Sequence, residues 1–150
     1  MVSALLSLAH LLGLVLGVGA ATVKLAMLLR ARANRGFVPM YLEVAGPMTR
    51  LIQVGIVLLT LSGIGWLVLG YPLTSRLAVK LVLVAAIWVM GPVIDNMIEP
   101  RFRRASLAPE PAAAPAFARV AGLYLGFELA ATGLFYAVIV YWVLVNRLSG

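Results

Sequence analysis

Four stretches of this chain run for eighteen residues or more with almost no charge. As a helix rising roughly 1.5 Å per residue, each can cross a hydrocarbon layer about 30 Å thick. They cover about residues 2–29, 51–69, 77–98 and 120–145. Lipid dictates the fold class, because every backbone N–H and C=O must find its partner inside the protein. A helix does this locally. A barrel does it between strands, but this sequence lacks a barrel's alternation of apolar and polar residues. The expectation is an all-α membrane protein, a four-transmembrane-helix bundle forming one domain over residues 1–150. Composition agrees: with 63% hydrophobic and 11% charged residues, a soluble domain would lack the polar surface to cover its core.

The net charge of +7 raises the question of nucleic acid or anionic lipid. Its distribution answers for topology. The first connection holds Arg30, Arg32, Arg35 and Arg50, and the third holds Arg101, Arg103, Arg104 and Arg119. The second has only Arg76, and the tail has Arg147. Eight arginines on one side against two on the other make the first side cytoplasmic. Both termini then face outward, into the periplasm if the membrane is a bacterial inner (plasma) membrane. The expected partner is the lipid bilayer, with no nucleic acid. "VGA" at residues 18–20 loosely fits a signal-peptide cleavage site, but no basic segment precedes the run and hydrophobicity continues to Leu29. The first span therefore reads as retained.

Two connections carry more than charge. "APEPAAAPAFA", residues 108–118, contains Pro109, Pro111 and Pro115 and reads as a flexible loop. "NRGFVPMYLEVAGPM", residues 34–48, is apolar but punctuated by Pro39 and Pro47. It reads as a short interfacial helix or a re-entrant elbow between the first two spans.

Ionisable residues inside a membrane are costly and usually face the bundle interior. Depth sorts them into two layers. His10 and Lys80 lie in the outer half. Lys24, Asp95 and Glu128 lie toward the cytoplasmic side, where a lysine–carboxylate pair is feasible, and Gln53 and Thr60 add polar groups on one face of the second span. Tyr124, Thr132 and Phe135 share the face of Glu128. Simpler readings compete. Lys80 and Lys24 can snorkel to the surface, which suits Lys24 as an interfacial anchor. Asp95 reads as the end of the third helix, with "DNMIEPR" at the interface. Trp66, Tyr141 and Trp142 read as belt residues on the outer side. Pro92 frees the carbonyl of Trp88 and predicts a kink.

At about 100° per residue, His10, Gly13, Gly17, Ala21 and Lys24 fall within an arc of roughly 80° on one helix. Gly13, Gly17 and Ala21 are a helix-packing stripe, since small residues let backbones approach in lipid. That packing is either internal or between copies.

The single histidine and the absence of cysteine exclude a self-contained zinc or copper site and all thiol chemistry. No carboxylate lies at the depth of His10 to complete a hydrolytic triad, and no phosphate-binding loop is present. Haem with His10 as one axial ligand remains, and bis-histidine ligation would need a second chain.

Three segments carry a family resemblance: "HLLGLVLGVGA" from His10, "TRLIQVGIVLLTLSGIGWLV" with its Ser-Gly turn, and "LAVKLVLVAAIW" with Lys80. Over about residues 5–100 the chain resembles a group of small bacterial membrane proteins with a four-helix core. The group includes HemJ-type protoporphyrinogen IX oxidases, CopD-type domains and uncharacterised relatives. The resemblance implies that His10 and Lys80 stand where a helix-one histidine and a helix-three lysine associate with haem or porphyrin. Two family features are absent here: the aromatic-glycine segment after the histidine, and a further histidine near "IWVMGP".

The leading expectation is a binding scaffold for an amphipathic cofactor or ligand, such as a tetrapyrrole, between the first and third spans. The alternatives are a non-catalytic structural or accessory subunit, in a homo-oligomer or larger membrane complex, and a proton or ion pathway through Lys24, Asp95 and Glu128. None of these readings fixes a catalytic residue.

Overall fold

The computed structural model describes residues 1–107 and 114–148. It has four long apolar rods, each able by length and composition to cross a membrane. The first is α1, Val2–Ala33. A short 3-10 turn, Arg35–Phe37, leads into α2, Val38–Val68. The third rod joins α3, Ser75–Val93, through a π-helical turn, Ile94–Ile98, to α4, Glu99–Leu107. The fourth is α5, Ala114–Leu148.

The second span begins earlier than the sequence suggests. Residues 34–48 form neither a separate interfacial helix nor an elbow. Asn34 stops α1, and its side-chain oxygen accepts from the Gly36 N–H at 2.9 Å. Pro39 then sits in the first turn of α2, where a missing N–H costs nothing. Pro47 is carried inside the helix. The Ser62-Gly63 pair also lies within α2 and makes no turn. The helix ends instead after Val68, and the chain turns at Gly70, with φ +88°, where Tyr71 N–H reaches Trp66 O and Gly70 N–H reaches Leu67 O. Glycine takes this left-handed position without a Cβ penalty.

Pro92 does perturb the third rod, but through a wider turn. Proline cannot donate to the carbonyl four residues back, and a π turn follows, in which Glu99 N–H reaches Ile94 O. Asn96 Nδ2 donates to Pro92 O at 2.9 Å. Asp95 therefore does not end the helix; it sits inside the π turn. Of the Pro/Ala linker, residues 108–113 lie outside the described residues, and the rest is already the first turn of α5.

Packing is unequal around the bundle. α1 and α2 lie against each other along their length, while α5 packs on α1, α3 and α4. α3 turns to α5 rather than to α2. This leaves a lateral groove between α2 and α3. At the arginine-rich end the core is aromatic: Tyr41, Phe102 and Tyr124 are fully buried, with ring centroids 5.6 Å apart for Tyr41–Phe102 and 5.2 Å for Phe102–Tyr124. Phe117 stacks beside them at 5.6 Å from Phe102.

Candidate functional site

The site begins with the close approach of α1 and α2. Gly13, Gly17 and Ala21 are buried against this seam and the bundle interior. Gly13 and Gly17 face Gly55, which sequence reading did not single out. A Cβ on Gly55 would come within 2.6 Å of Gly17 Cα and 2.8 Å of Gly13 O. A Cβ on Gly13 would meet Gly55 O at 2.9 Å. Gly17 itself has room, its nearest contact being Phe135 at 3.6 Å. The small-residue stripe is thus spent inside the chain, against its own second helix.

Polar groups fasten both ends of this seam. At one end His10 Nδ1 lies 2.9 Å from Ser62 Oγ. Ser62 gives its one hydroxyl proton to Leu59 O at 3.0 Å. His10 Nδ1 is therefore the donor, and in the neutral ring Nε2 keeps its lone pair. At the other end Lys24 Nζ donates to Thr49 Oγ1 at 2.8 Å. The pairs follow antiparallel register, each step along α1 matched by a step back along α2.

Lys24 is no interfacial anchor. It is 2% exposed and forms the hub of a buried ionic cluster. Its ammonium is 2.9 Å from Glu128 Oε1 on α5, 3.0 Å from Glu99 Oε2 on α4 and 3.9 Å from Asp95 Oδ1 in the π turn. Glu99 also accepts from the Tyr124 hydroxyl at 2.9 Å, and Tyr124 accepts from Tyr41 at 2.7 Å. Asp95 accepts from Gln53 Nε2 at 3.2 Å. Lys24, Asp95, Glu128 and Gln53, which depth alone placed in one layer, are joined in space. Glu99, Thr49 and Tyr41 are members that sequence reading missed. The wider π turn is one reason: with Asp95 and Glu99 four residues apart on one face, both point at α1.

Two cavities lie along the groove between α2 and α3. The inner one, about 360 Å³, is lined by Lys24, Gln53, Asp95, Glu128 and Thr132 together with apolar walls. Thr132 Oγ1 is buried there without a hydrogen-bond partner. The outer one, about 340 Å³, is lined by His10, Lys80 and Trp142 among aliphatic residues. The Lys80 ammonium stands 4.8 Å from the centre of the Trp142 ring. Among the described residues, no carboxylate is within ion-pair reach of Lys80. Trp142 is thus a wall of the outer cavity, whatever its depth in the bilayer.

Three apolar side chains, Ile56, Ile87 and Phe135, line both cavities, which adjoin there. Two hydrogen bonds bridge the groove: Trp88 Nε1 donates to Thr60 Oγ1 at 2.9 Å, and Gln53 donates to Asp95. Among the described residues no group of three or more histidine, cysteine or acidic side chains is placed to hold a metal ion.

Comparison of the chain with family models, with curated proteins and with solved structures returned no match.

Proposed function

We propose that this multi-pass membrane protein binds an amphipathic anion in its outer cavity. Lys80 serves as the partner of the anionic group, and His10 as a ligand or proton carrier. One observation carries this reading. His10 and Lys80, far apart in sequence and on different helices, line one largely apolar cavity, and among the described residues the Lys80 ammonium has an aromatic ring beside it but no carboxylate within ion-pair reach. A cation in a low-dielectric site favours an anion as its complement. The aliphatic walls suit the hydrocarbon part of the same molecule.

A tetrapyrrole carboxylate is the first candidate. The site fits it in kind: Lys80 can pair with a propionate, and His10 Nε2 has the lone pair an iron ligand needs, with Nδ1 oriented by Ser62. The resemblance to HemJ-type proteins supports the same pair of residues. The arginine-rich end faces the cytoplasm in this reading, so the outer cavity opens toward the opposite leaflet of a bacterial inner membrane. Binding is favoured over conduction because the side chains shared by the two cavities, Ile56, Ile87 and Phe135, are all apolar.

The test is an absorption titration of detergent-purified protein with haem and, separately, with iron-free protoporphyrin IX. Saturable spectral shifts are expected for both. Lys80→Met should weaken both, whereas His10→Ala should alter the Soret band of haem alone. No saturable shift with either probe, or shifts unchanged in Lys80→Met, would overturn the proposal.

A further inference from the structure

The inner cavity has chemistry opposite to the outer one. Asp95, Glu99 and Glu128 converge on one ammonium, and all three ion pairs of the cluster use Lys24. Formally the cluster carries two more negative charges than positive ones. Lys24 has three N–H groups, and its three nearest oxygens belong to Thr49, Glu128 and Glu99. Asp95 Oδ1, at 3.9 Å, lies beyond hydrogen-bond distance of that ammonium. Its other oxygen is held by Gln53. So two carboxylate oxygens on the cavity wall make no hydrogen bond among the described residues: Asp95 Oδ1, and Glu128 Oε1, which is ion-paired with Lys24 at 2.9 Å.

A second, independent observation points the same way. Thr132 is 4% exposed, lines this cavity and has an unpartnered hydroxyl oxygen. It lies one helical turn from Glu128 on the same face of α5. Leaving a buried hydroxyl unsatisfied costs free energy, so such a group calls for a ligand atom. Asp95 and Thr132 thus offer acceptors from two sides of the cavity. Beside Lys24, Thr49 and Glu128, much of the remaining wall is apolar, with Ile52, Ile87 and Phe135 prominent. Exposed Gln53, Val57, Trp88 and Asn96 form the rim, so the cavity is open between α2 and α3.

We propose that the inner cavity is a binding site for a small amphipathic organic cation: an ammonium held between Asp95 and Thr132, with its apolar body against Ile52, Ile87 and Phe135. An anion is disfavoured because the one ammonium is already surrounded and the remaining polar charge is negative. A bare metal ion is disfavoured because half the wall offers carbon, not oxygen. Lys24, which also lines the cavity, holds the acidic side chains in place. The polar groups of the two cavities differ, and the cavities adjoin at the apolar side chains Ile56, Ile87 and Phe135.

The probe is 2-phenylethylamine, a primary amine with one aromatic ring. Its binding to purified protein in nanodiscs is measured by equilibrium dialysis at fixed ionic strength. One saturable site is expected. The isosteric Asp95→Asn variant should weaken it at least tenfold, and Thr132→Val about threefold or more. Lys80→Met, in the other cavity, should leave it unchanged. Neutral 2-phenylethanol should neither bind saturably nor compete. Thr132→Val removes only the hydroxyl, so it tests the site even if Asp95→Asn fails to fold. Absence of saturable amine binding, equal binding of the alcohol, or an amine affinity indifferent to both substitutions would overturn the proposal. Competition by sodium chloride equal to that by an organic amine salt would identify a bare-cation site and would also overturn it.

Discussion

Replacing Lys24 by methionine removes the one cation that three acidic side chains share. Its contacts at 2.9 Å and 3.0 Å are each worth about 6 kcal/mol of gross attraction at an effective dielectric near 20. The net loss is smaller, because burying Lys24 itself cost hydration. Truncating one partner of a buried ion pair typically costs about 3–5 kcal/mol, since the other charge is left uncompensated. Lys24→Met should therefore destabilise the fold by about that amount. Glu128→Gln removes one charge of the excess and should cost less. Combined, the two should cost less than their sum by about 1.5 kcal/mol or more, because contacting residues in one network couple. Reversible unfolding in mixed micelles, followed by far-ultraviolet circular dichroism, measures all three variants. A Lys24→Met loss below about 1 kcal/mol, or additivity within about 0.5 kcal/mol, would refute the hub.

The seam and the aromatic core give further expectations, each read by the same unfolding experiment. Gly55→Ala should cost about 1–3 kcal/mol, because its methyl would press on the Gly17 backbone, whereas Gly17→Ala should be close to neutral. Gly19→Ala meets nothing within 4 Å and should stabilise the helix by up to about 1 kcal/mol. Tyr124→Phe strands the Tyr41 hydroxyl and removes a donor to Glu99, so it should cost about 1–3 kcal/mol and exceed Tyr41→Phe. The reverse order would contradict the direction of that hydrogen-bond chain.

The four spans and the layering of charge were legible because both follow from hydropathy and helical rise. Lys24, Asp95 and Glu128 fell at one depth by counting residues, and the structure joins them. Whether Lys24 turns inward was not legible. Snorkelling and burial differ only in what the neighbouring helices offer, and Thr49, Glu99 and Glu128 come from three different elements. Gly55 escaped notice because one isolated glycine in an apolar run has no local signature; its role comes from the register of α1 against α2. The interfacial elbow failed because Pro39 falls in a first turn, where proline is harmless, and Pro47 is accommodated within α2. Glu99 followed Asp95 into the cluster through a π turn that the sequence announced only as a proline kink.

The groove between α2 and α3 organises the whole account, and its outer cavity contains a built-in reporter. The chain has three tryptophans, and only Trp142 lies against Lys80. With Trp66 and Trp88 changed to phenylalanine, quenching of Trp142 fluorescence by protoporphyrin IX reads occupancy of that cavity directly. Quenching should saturate at one porphyrin per chain and be lost in Lys80→Met. Quenching that rises linearly with porphyrin, or that persists undiminished in Lys80→Met, would contradict it.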